Sequence, residues 1–196
     1  MSKGEQTRER ILERAFRLAG REGLEGLSIG ALASDLGLSK SGLFAHFGSK
    51  EDLQIAVLAA AAQRFQEAVI QPAVRAPRGL ARVRRLFEKW LIWSVDPSQP
   101  GGCLFIAAAT ELDDREGRAR DFLVGSQREL LDFIAGAARQ AIEQGEFRKD
   151  LDCEDFAFDL YALMLGFNHS RRLLRDPRSE ERTRAAFERL VQFAAR

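Results

Sequence analysis

The side chains that most often carry out chemistry are scattered in this sequence. The two cysteines (Cys103, Cys153) and two histidines (His46, His169) lack the close spacing of a zinc site. No phosphate-binding glycine loop or nucleophile elbow is present. Cys153 and His169 share one predicted helix, but at 1.5 Å per residue they lie about 24 Å apart. The sequence therefore predicts no enzyme, metal or cofactor, and a helical enzyme is kept as the alternative.

Basic side chains near position 45 form a more informative pattern. No carboxylate occurs between Lys40 and Lys50, and residues 1–50 hold eight basic and six acidic side chains, a net charge of +2. The whole chain has a net charge of only +1. Any electrostatic attraction to nucleic acid must therefore come from this local patch.

The segment 28–47 contains what two crossed short helices require. Ala33 is small enough for the helices to touch, Gly37 tolerates the positive φ of a tight turn, and Ser39 is a good N-cap. Apolar residues are spaced to pack between the two helices: Leu32, Leu36, Leu38 and Leu43. This spacing predicts a helix-turn-helix, and two ordinary helices of a bundle joined by glycine are the alternative.

Elsewhere, apolar residues recur at intervals of three and four, and no segment alternates as a strand would. We predict an all-α fold of about nine helices. Their ranges are 5–22, 28–36, 39–46, 49–73, 78–95, 101–111, 115–144, 153–174 and 178–195. The first three form a helix-turn-helix domain over 1–48, and the others form a larger helical domain for ligand binding and dimerisation over 49–196. Capping patterns mark three starts: Ser49 with Asp52, Asp152 with Asp155, and Asp176 before Pro177.

The run LSKSGLFAHFGSKEDL at 38–53 resembles the DNA-binding signature of TetR-family repressors. TRERIL at 7–12, followed by Ala15, Phe16 and Gly23, resembles that family's first helix. The segment from GGCLF at 101–105 to ELDDR at 111–115 is more weakly similar to one subgroup of its C-terminal domains. The resemblance implies a ligand-responsive regulator, a repressor that binds a palindromic operator as a homodimer and is released by a small molecule. A helical interaction module without DNA binding is the third possibility.

The resemblance also implies which residues touch DNA. Lys40, Ser41 and Gly42 begin the recognition helix and reach base edges. Phe44 occupies a position usually held by tyrosine, so its ring packs on sugar or a thymine methyl without a hydroxyl. Because Gly42 and Ala45 are shorter than usual, more specificity is expected from DNA shape. The remaining contacts are implied with phosphate: Ser28, Ser39, His46 and Lys50.

A single recognition helix reads too few base pairs for operator specificity, so the arrangement requires a dimer. The segment 156–167 is apolar on nearly every face and must be buried all round. The resemblance implies that 153–174 and 178–195 pair with the same helices of a second copy. The alternative is a helix buried within one chain.

A ligand pocket is predicted from aromatic residues in the middle helices, with plain core as the alternative for each. Its predicted lining is Phe87, Trp90, Trp93, Phe105, Phe122 and Tyr161, with Asn168 and a partly buried His169 as polar handles. Cys103 is either a redox sensor or inert. The acidic residues Glu111, Asp113 and Asp114 form either a cation site or, as we favour, a solvated capping turn.

Composition and termini predict a cytoplasmic protein without a membrane segment. The beginning of the sequence lacks the apolar stretch of a signal peptide, and the longest apolar runs are too short to cross a bilayer. Two cysteines fifty positions apart, without CxxC spacing, suit a reducing compartment.

Overall fold

The structure, a computed structural model, describes residues 2–99 and 102–195, and all regular structure within these ranges is helical. The all-α prediction is confirmed. The helices are α1 Lys3–Glu22, α2 Ile29–Asp35, α3 Lys40–Phe47, α4 Lys50–Phe65, α5 Gln71–Arg75, α6 Leu80–Ser94, α7 Leu104–Leu112, α8 Arg118–Glu143, α9 Cys153–Arg172 and α10 Ser179–Ala195. Gly101, the predicted start of one helix, lies outside the described residues.

The helix predicted at 49–73 contains a change of helix type. A π-helical turn at Gln66–Ile70 joins α4 to α5 without a break. Pro72 lies two residues after this turn, in the first turn of α5. Proline has no N–H for the carbonyl four residues earlier, and its ring clashes with that carbonyl, so a wider turn before it keeps the chain helical.

Two of the three predicted helix caps are present. Ser49 Oγ accepts a hydrogen bond from the Asp52 N–H at 3.0 Å. Asp152 Oδ1 accepts from the N–H groups of residues 154 and 155 at 2.9 and 3.0 Å. The third prediction is wrong in detail: α10 begins at Ser179, so Asp176 and Pro177 lie before the helix, where Asp176 Oδ1 accepts from the Arg178 N–H at 2.9 Å. The bonds of Ser49 and Asp152 fix the starts of α4 and α9 locally, as the sequence patterns require.

The first of two compact units runs to Arg64 and also contains Asp96–Gly125. Its core joins the first four helices with α7 and the start of α8. Its buried residues include Ile11, Phe16, Leu24, Leu32, Leu43, Leu53, Leu58, Leu104, Leu112 and Leu123. The three-helix module therefore shares one core with α4 and α7. The predicted domain boundary at residue 48 is a division by function and stays a prediction.

The second unit comprises Phe65–Val95 and the chain from Ser126 onwards. Its core is rich in aromatic residues: Phe87 and Phe187 stack with ring centroids 3.9 Å apart and planes 7° apart. Phe156 and Phe167 of α9 are also buried. However, α9 is not buried all round within one chain, because Phe158 is 68% exposed.

Candidate nucleic-acid interface

The turn between α2 and α3 has the geometry that the sequence predicted. Gly37 adopts a φ of +66°. The Leu38 N–H donates to the Ala33 carbonyl at 2.8 Å, and the Gly37 N–H donates to the Ser34 carbonyl at 3.2 Å. This pair of bonds is the Schellman arrangement that ends a helix with glycine in the left-handed region. Buried Ala33 and Leu43 then pack between the two helices.

The helix α3 presents one face to solvent and the other to the core. Leu43 and Phe47 are buried, whereas Lys40, Ser41, Ala45 and Phe44 are exposed, the last at 42%. The exposed positions recur at the three- to four-residue spacing of one helical face. Four of the predicted DNA-contacting residues therefore share a single outward face that carries no acidic side chain.

The beginning of α3 is organised by Ser39 and by two glycines. Ser39 Oγ accepts from the Gly42 N–H at 3.0 Å and lies 3.1 Å from Ser41 Oγ. A Cβ at Gly42 would lie only 3.1 Å from Ser39 Oγ, and one at Gly30 only 3.0 Å from Lys40 Cε. Gly30 therefore leaves room for the Lys40 side chain. Sequence reasoning missed this role, although a glycine inside a short helix signals a close approach.

Ser28 and His46 lie at the ends of the two helices. Ser28 is exposed and caps α2, its Oγ accepting from the Ala31 N–H at 3.3 Å. His46 is half-buried in the last turn of α3, with its ring centroid 6.4 Å from that of Phe47. The capping role of Ser28 is confirmed, and the phosphate contacts of both residues stay predictions.

Lys50 contacts the loop between α1 and α2. Its Nζ donates to the Glu25 carbonyl at 2.7 Å and lies 3.5 Å from Glu25 Oε2. Gln54, one turn further along α4, donates to Glu25 Oε1 at 2.9 Å and to the Leu24 carbonyl at 3.1 Å. The first turns of α4 thus hold the loop that leads into the helix-turn-helix.

Glu111 of α7 holds the same loop from a second side. Its carboxylate accepts from the Leu24 N–H at 3.1 Å and from the Glu25 N–H at 2.7 Å. Arg115 forms an ion pair with Glu25 Oε2 at 2.9 Å. The Glu111 carboxylate therefore acts as a cap for backbone amides. Among the described residues, no group of three or more His, Cys, Asp or Glu side chains is placed to hold a metal ion.

The start of α8 is joined to α4 by two acidic side chains. Glu51 Oε1 accepts from the Ala119 N–H at 3.2 Å, and Asp52 Oδ1 pairs with Arg118 at 2.8 Å. Hydrogen bonds from Ser49 and Arg118 lower the pKa of Asp52. Each of the first three residues of α4 therefore contacts another segment of the first unit, which gives the helix a fixed position there.

Polar contacts also position α1. Arg14 pairs with Asp35 of α2, with Nη2 and Oδ1 3.1 Å apart. The Arg8 guanidinium lies 5.0 Å from the centre of the Phe47 ring of α3. Arg64 pairs with Glu13 and lowers the pKa of that carboxyl. The recognition helix is thus supported from behind by α1.

Glu25 makes the stability of this region depend on pH. The Gln54 hydrogen bond, and then Arg115 and Lys50, lower its pKa. A carboxyl whose pKa is lower in the folded chain stabilises the fold above its ordinary pKa, and this contribution is lost as the pH falls through the folded value. The free energy of unfolding of the wild type should therefore fall as the pH is lowered through this range. We expect it to fall less in Glu25→Gln, because glutamine does not take up a proton there.

Urea unfolding of the full chain at a series of pH values measures this effect. The matched control is Glu129→Gln, an exposed carboxyl on α8. It should leave the acid dependence as in the wild type. The same acid dependence in Glu25→Gln and wild type would contradict the role of Glu25.

The residues predicted to line a ligand pocket lie in two places. Phe87, Trp90, Trp93 and Tyr161 belong to the core of the second unit or pack against it. Phe105 and Phe122 pack against the core of the first unit. The structure therefore does not gather the six rings into one hydrophobic cluster.

The two polar residues predicted for the ligand pocket, Asn168 and His169, differ in burial. Asn168 is half-buried, but His169 is exposed, so the expectation of a partly buried imidazole is wrong. His169 follows Phe158, Ala162 and Leu165 at three- and four-residue intervals along α9, all of them exposed. The histidine therefore lies on the exposed face of the helix. Sequence analysis did not identify this face, because the apolar run of α9 is continuous.

The cysteines lie in different units: Cys103 is half-buried in the first and Cys153 is buried in the second. Burial raises the pKa of the Cys153 thiol, which makes it a poor nucleophile. The redox role of Cys103 stays a prediction. None of the helices in the described residues is both long and apolar enough to span a bilayer.

A recognition helix with a basic, acid-free outward face, supported by α1 and α2, defines the helix-turn-helix class of DNA-binding proteins. Comparison with known proteins identifies the family. Residues 11–57 match the bacterial regulatory proteins of the tetR family, and residues 79–187 match the tetracyclin repressor-like C-terminal domain. The second match covers more than half of the chain, so the chain belongs to the tetR family.

Similar proteins agree with this assignment. The chain is 27% identical over 162 residues to the HTH-type transcriptional regulator YezE of Bacillus subtilis, covering 82% of this chain and 80% of that protein. The solved structure of a TetR transcriptional regulator from Chloroflexus aurantiacus is 26% identical and superposes with a TM-score of 0.86, over 98% of this chain and 96% of the other.

A structure of AibR in complex with isovaleryl coenzyme A and operator DNA has the same fold. It is 23% identical, with a TM-score of 0.75 over 96% of this chain and 98% of the other. The family matches make the chain a DNA-binding transcriptional regulator and not an enzyme. They do not favour the enzyme and interaction-module alternatives.

Proposed function

We propose that the protein is a repressor that binds a palindromic operator as a homodimer and leaves it when a small molecule binds. The observation that carries this proposal is the outward face of α3, where Lys40, Ser41, Phe44 and Ala45 are exposed and no carboxylate occurs. A face of this size and charge fits the major groove of DNA, and acidic side chains would be repelled by the phosphates.

The side chains on this face have different tasks in the proposal. Lys40 donates to guanine O6 or N7, and Ser41 contacts a neighbouring base edge. Gly42 lets the helix start approach the DNA closely, and Phe44 packs on a sugar or a thymine methyl. Because few side chains read bases directly, operator choice depends strongly on DNA shape.

Phosphate contacts flank these readers and fix the register of the helix on the duplex. Ser28 and Ser39 lie at the N-termini of α2 and α3, where exposed backbone N–H groups and the helix dipole favour an anion. His46 and Lys50 add donors at the far end of α3 and at the start of α4.

The dimer proposal rests on the exposed apolar surface of α9 and α10. Phe158, Leu165 and Phe193 are 68%, 37% and 59% exposed, which is costly for large apolar side chains in water. A groove between the two helices includes Ala162 and Gly166 in its lining. We propose that a second copy covers this surface through 153–174 and 178–195.

Charge on the same groove fits a two-fold arrangement. Asp159 of α9 and Arg189 of α10 both line the groove. In a symmetric interface the same surface meets itself, so if Asp159 of one copy meets Arg189 of the other, the symmetry forms that ion pair twice. The apolar stripe would then form the centre of the contact, with the charged residues at its rim.

Small-molecule control is supported by proteins of the same fold. AibR has been solved with isovaleryl coenzyme A and operator DNA, and a regulator from Saccharomonospora viridis, 24% identical, with choline. We propose that a ligand acts here by changing the separation of the two recognition helices. That separation must be about 34–36 Å to fit successive major grooves. As a regulator of genes, the protein acts in the cytoplasm.

Native mass spectrometry of the protein with a selected operator duplex tests the proposal. Two chains per duplex, with no stable complex of one chain, is the expected result. One chain per duplex at saturating protein would contradict the dimer and the palindrome together.

Lys50 offers a test of the phosphate contacts. In the proposed complex its Nζ turns from Glu25 to a phosphate, so Lys50→Ala should weaken binding to all sequences alike. The salt dependence of binding, plotted as log K against log salt concentration, should become shallower by about one unit.

Fluorescence anisotropy of a labelled operator at several salt concentrations measures this slope. The exposed Lys149 in the second unit is the control, and Lys149→Ala should keep the wild-type slope. An unchanged slope for Lys50→Ala would mean that its Nζ stays on the Glu25 loop and does not contact DNA.

A further inference from the structure

The indole nitrogen of Trp93 lies in the core of the second unit without a hydrogen-bond partner. The Trp93 side chain is 8% exposed, its Nε1 is fully buried, and no acceptor meets it among the residues that the structure describes. Buried tryptophan N–H groups normally find an acceptor, because an unpaired buried donor costs free energy. In a protein that responds to a small molecule, as proposed above, such an unpaired donor is a place for a ligand oxygen.

Trp93 belongs to a connected cluster of aromatic rings. The Phe65 ring lies edge-on to Trp93 and Trp90, with centroids 5.6 and 5.7 Å away. The ring centroids of Trp90 and Tyr161 lie 6.0 Å apart. The Tyr161 hydroxyl donates to Gln127 Oε1 at 2.8 Å. We call these five residues the Trp93 cluster. Phe65 and Tyr161 are only partly buried, so the cluster reaches the surface of the unit at these two rings.

We propose that the Trp93 cluster is the effector site and that its ligand is a small, uncharged aromatic molecule with a carbonyl oxygen. This inference rests on the proposed ligand-controlled function. Edge-on rings of this kind accept a further aromatic ring. The N–H requires an acceptor, and a carbonyl oxygen provides one without a charge.

The absence of charge in the cluster defines the ligand class. All five side chains of the Trp93 cluster are uncharged. An ionic ligand group placed against them would lose its hydration without gaining a counter-charge from these five side chains. A neutral carbonyl group loses less on leaving water, and the Trp93 N–H replaces the water that hydrated it.

Acetophenone and α-methylstyrene form a matched pair of probes. They have nearly the same shape, but a CH₂ group replaces the carbonyl oxygen in the hydrocarbon. Because only acetophenone pairs the Trp93 N–H, it should bind at least about tenfold more tightly, which corresponds to about 1.4 kcal/mol.

The chain has two tryptophans, so a proton–nitrogen correlation spectrum of the full-length protein labelled with ¹⁵N-tryptophan contains two indole signals. Trp93→Phe removes one signal and thereby assigns it. Acetophenone is expected to move the Trp93 indole proton downfield, as a new hydrogen bond does, and α-methylstyrene is not. Trp93→Phe should bind both probes equally.

A control variant separates this effect from a general loss of packing. Phe147 lies in the same unit and contacts Phe156, and its ring makes no aromatic pair with the Trp93 cluster in the described residues. Phe147→Leu should retain the tenfold preference for acetophenone. If Trp93→Phe does not fold, the affinities of the two probes for the wild-type protein still test the proposal.

The proposal is overturned if both probes bind the wild type equally, or if neither shifts the Trp93 signal. Operator binding by the same preparations keeps the two hypotheses apart. A wild-type protein that binds its operator but shows no carbonyl-dependent shift overturns the assignment of the ligand site alone. A wild-type protein that selects no DNA sequence overturns the proposed function.

Discussion

Arginine in place of Gly166 is expected to give a folded monomer that has lost tight operator binding. Gly166 lies on the exposed side of α9, and a Cβ at this position would meet nothing within 4 Å among the described residues. Arginine also has a higher helix propensity than glycine, by about 0.8 kcal/mol. The single chain should therefore tolerate Gly166→Arg without loss of stability.

The proposed dimer, in contrast, should be disrupted by Gly166→Arg. Gly166 lines the groove between α9 and α10, beside Ala162, where we propose that the second copy packs. A long charged side chain there would separate the two surfaces and would leave a buried charge without a partner. Because one recognition helix binds weakly alone, the operator affinity should fall at least about 100-fold, or about 2.7 kcal/mol.

Size-exclusion chromatography with light scattering measures the oligomeric state of this variant. The matched control is Gly125→Arg: Gly125 is also helical, exposed and free of neighbours within 4 Å of a Cβ among the described residues. The control should remain a dimer with wild-type operator affinity. A dimeric Gly166→Arg would contradict the proposed interface.

Gly23→Ala is expected to cause a large loss of stability, although it adds only one methyl group. Gly23 has φ and ψ of 83° and 166°, a region almost exclusive to glycine, which costs other residues about 1–3 kcal/mol. A Cβ there would also lie 2.5 Å from Glu111 Oε1. The carboxylate that accepts from the Leu24 and Glu25 N–H groups would have to move.

We expect the free energy of unfolding to fall by about 3–4 kcal/mol, the sum of backbone strain and weakened bonds to a charged acceptor. Urea unfolding of four proteins measures it: wild type, Gly23→Ala, Glu111→Ala and the double variant. Without the Glu111 carboxylate, Gly23→Ala should cost clearly less, because only the strain remains. Equal costs in both backgrounds would show that the contact with Glu111 contributes nothing.

Local features of this fold could be predicted from the sequence, because their causes lie within a few residues. The caps at Ser28, Ser39 and Asp152 depend on an oxygen two or three residues before an N–H. The left-handed turn at Gly37 follows from glycine between two apolar runs. The outward face of α3, which we propose as the core of the DNA-binding site, follows from helical spacing alone.

Contacts between distant segments could not be predicted in this way. Nothing near Glu111 in the sequence indicates that its carboxylate accepts from backbone amides 86 and 87 residues earlier. Lys50 was predicted to contact phosphate, and its bond to the Glu25 carbonyl depends on how the loop folds back. Such pairs depend on packing, which a single sequence does not encode in any local pattern.

Aromatic and apolar residues were informative about burial but not about their partners. The spacing of Phe105 and Trp93 indicates core positions, yet they lie in different units. The apolar run of α9 predicted burial on every side, whereas Phe158 and His169 form an exposed stripe. The apolar run is explained if a second copy covers the stripe, an arrangement that residue type alone does not distinguish from a buried core helix.

Selection of bound sequences from a random DNA pool is the most direct test of the central claim, that α3 reads DNA as one of a symmetric pair. We predict an enriched palindrome with half-sites about 10 base pairs apart, centre to centre, or a multiple of that spacing. Enrichment should be lost with Lys40→Ala, since Lys40 provides the principal base contact. A pool without enrichment, or an enriched single site without two-fold symmetry, would contradict the claim.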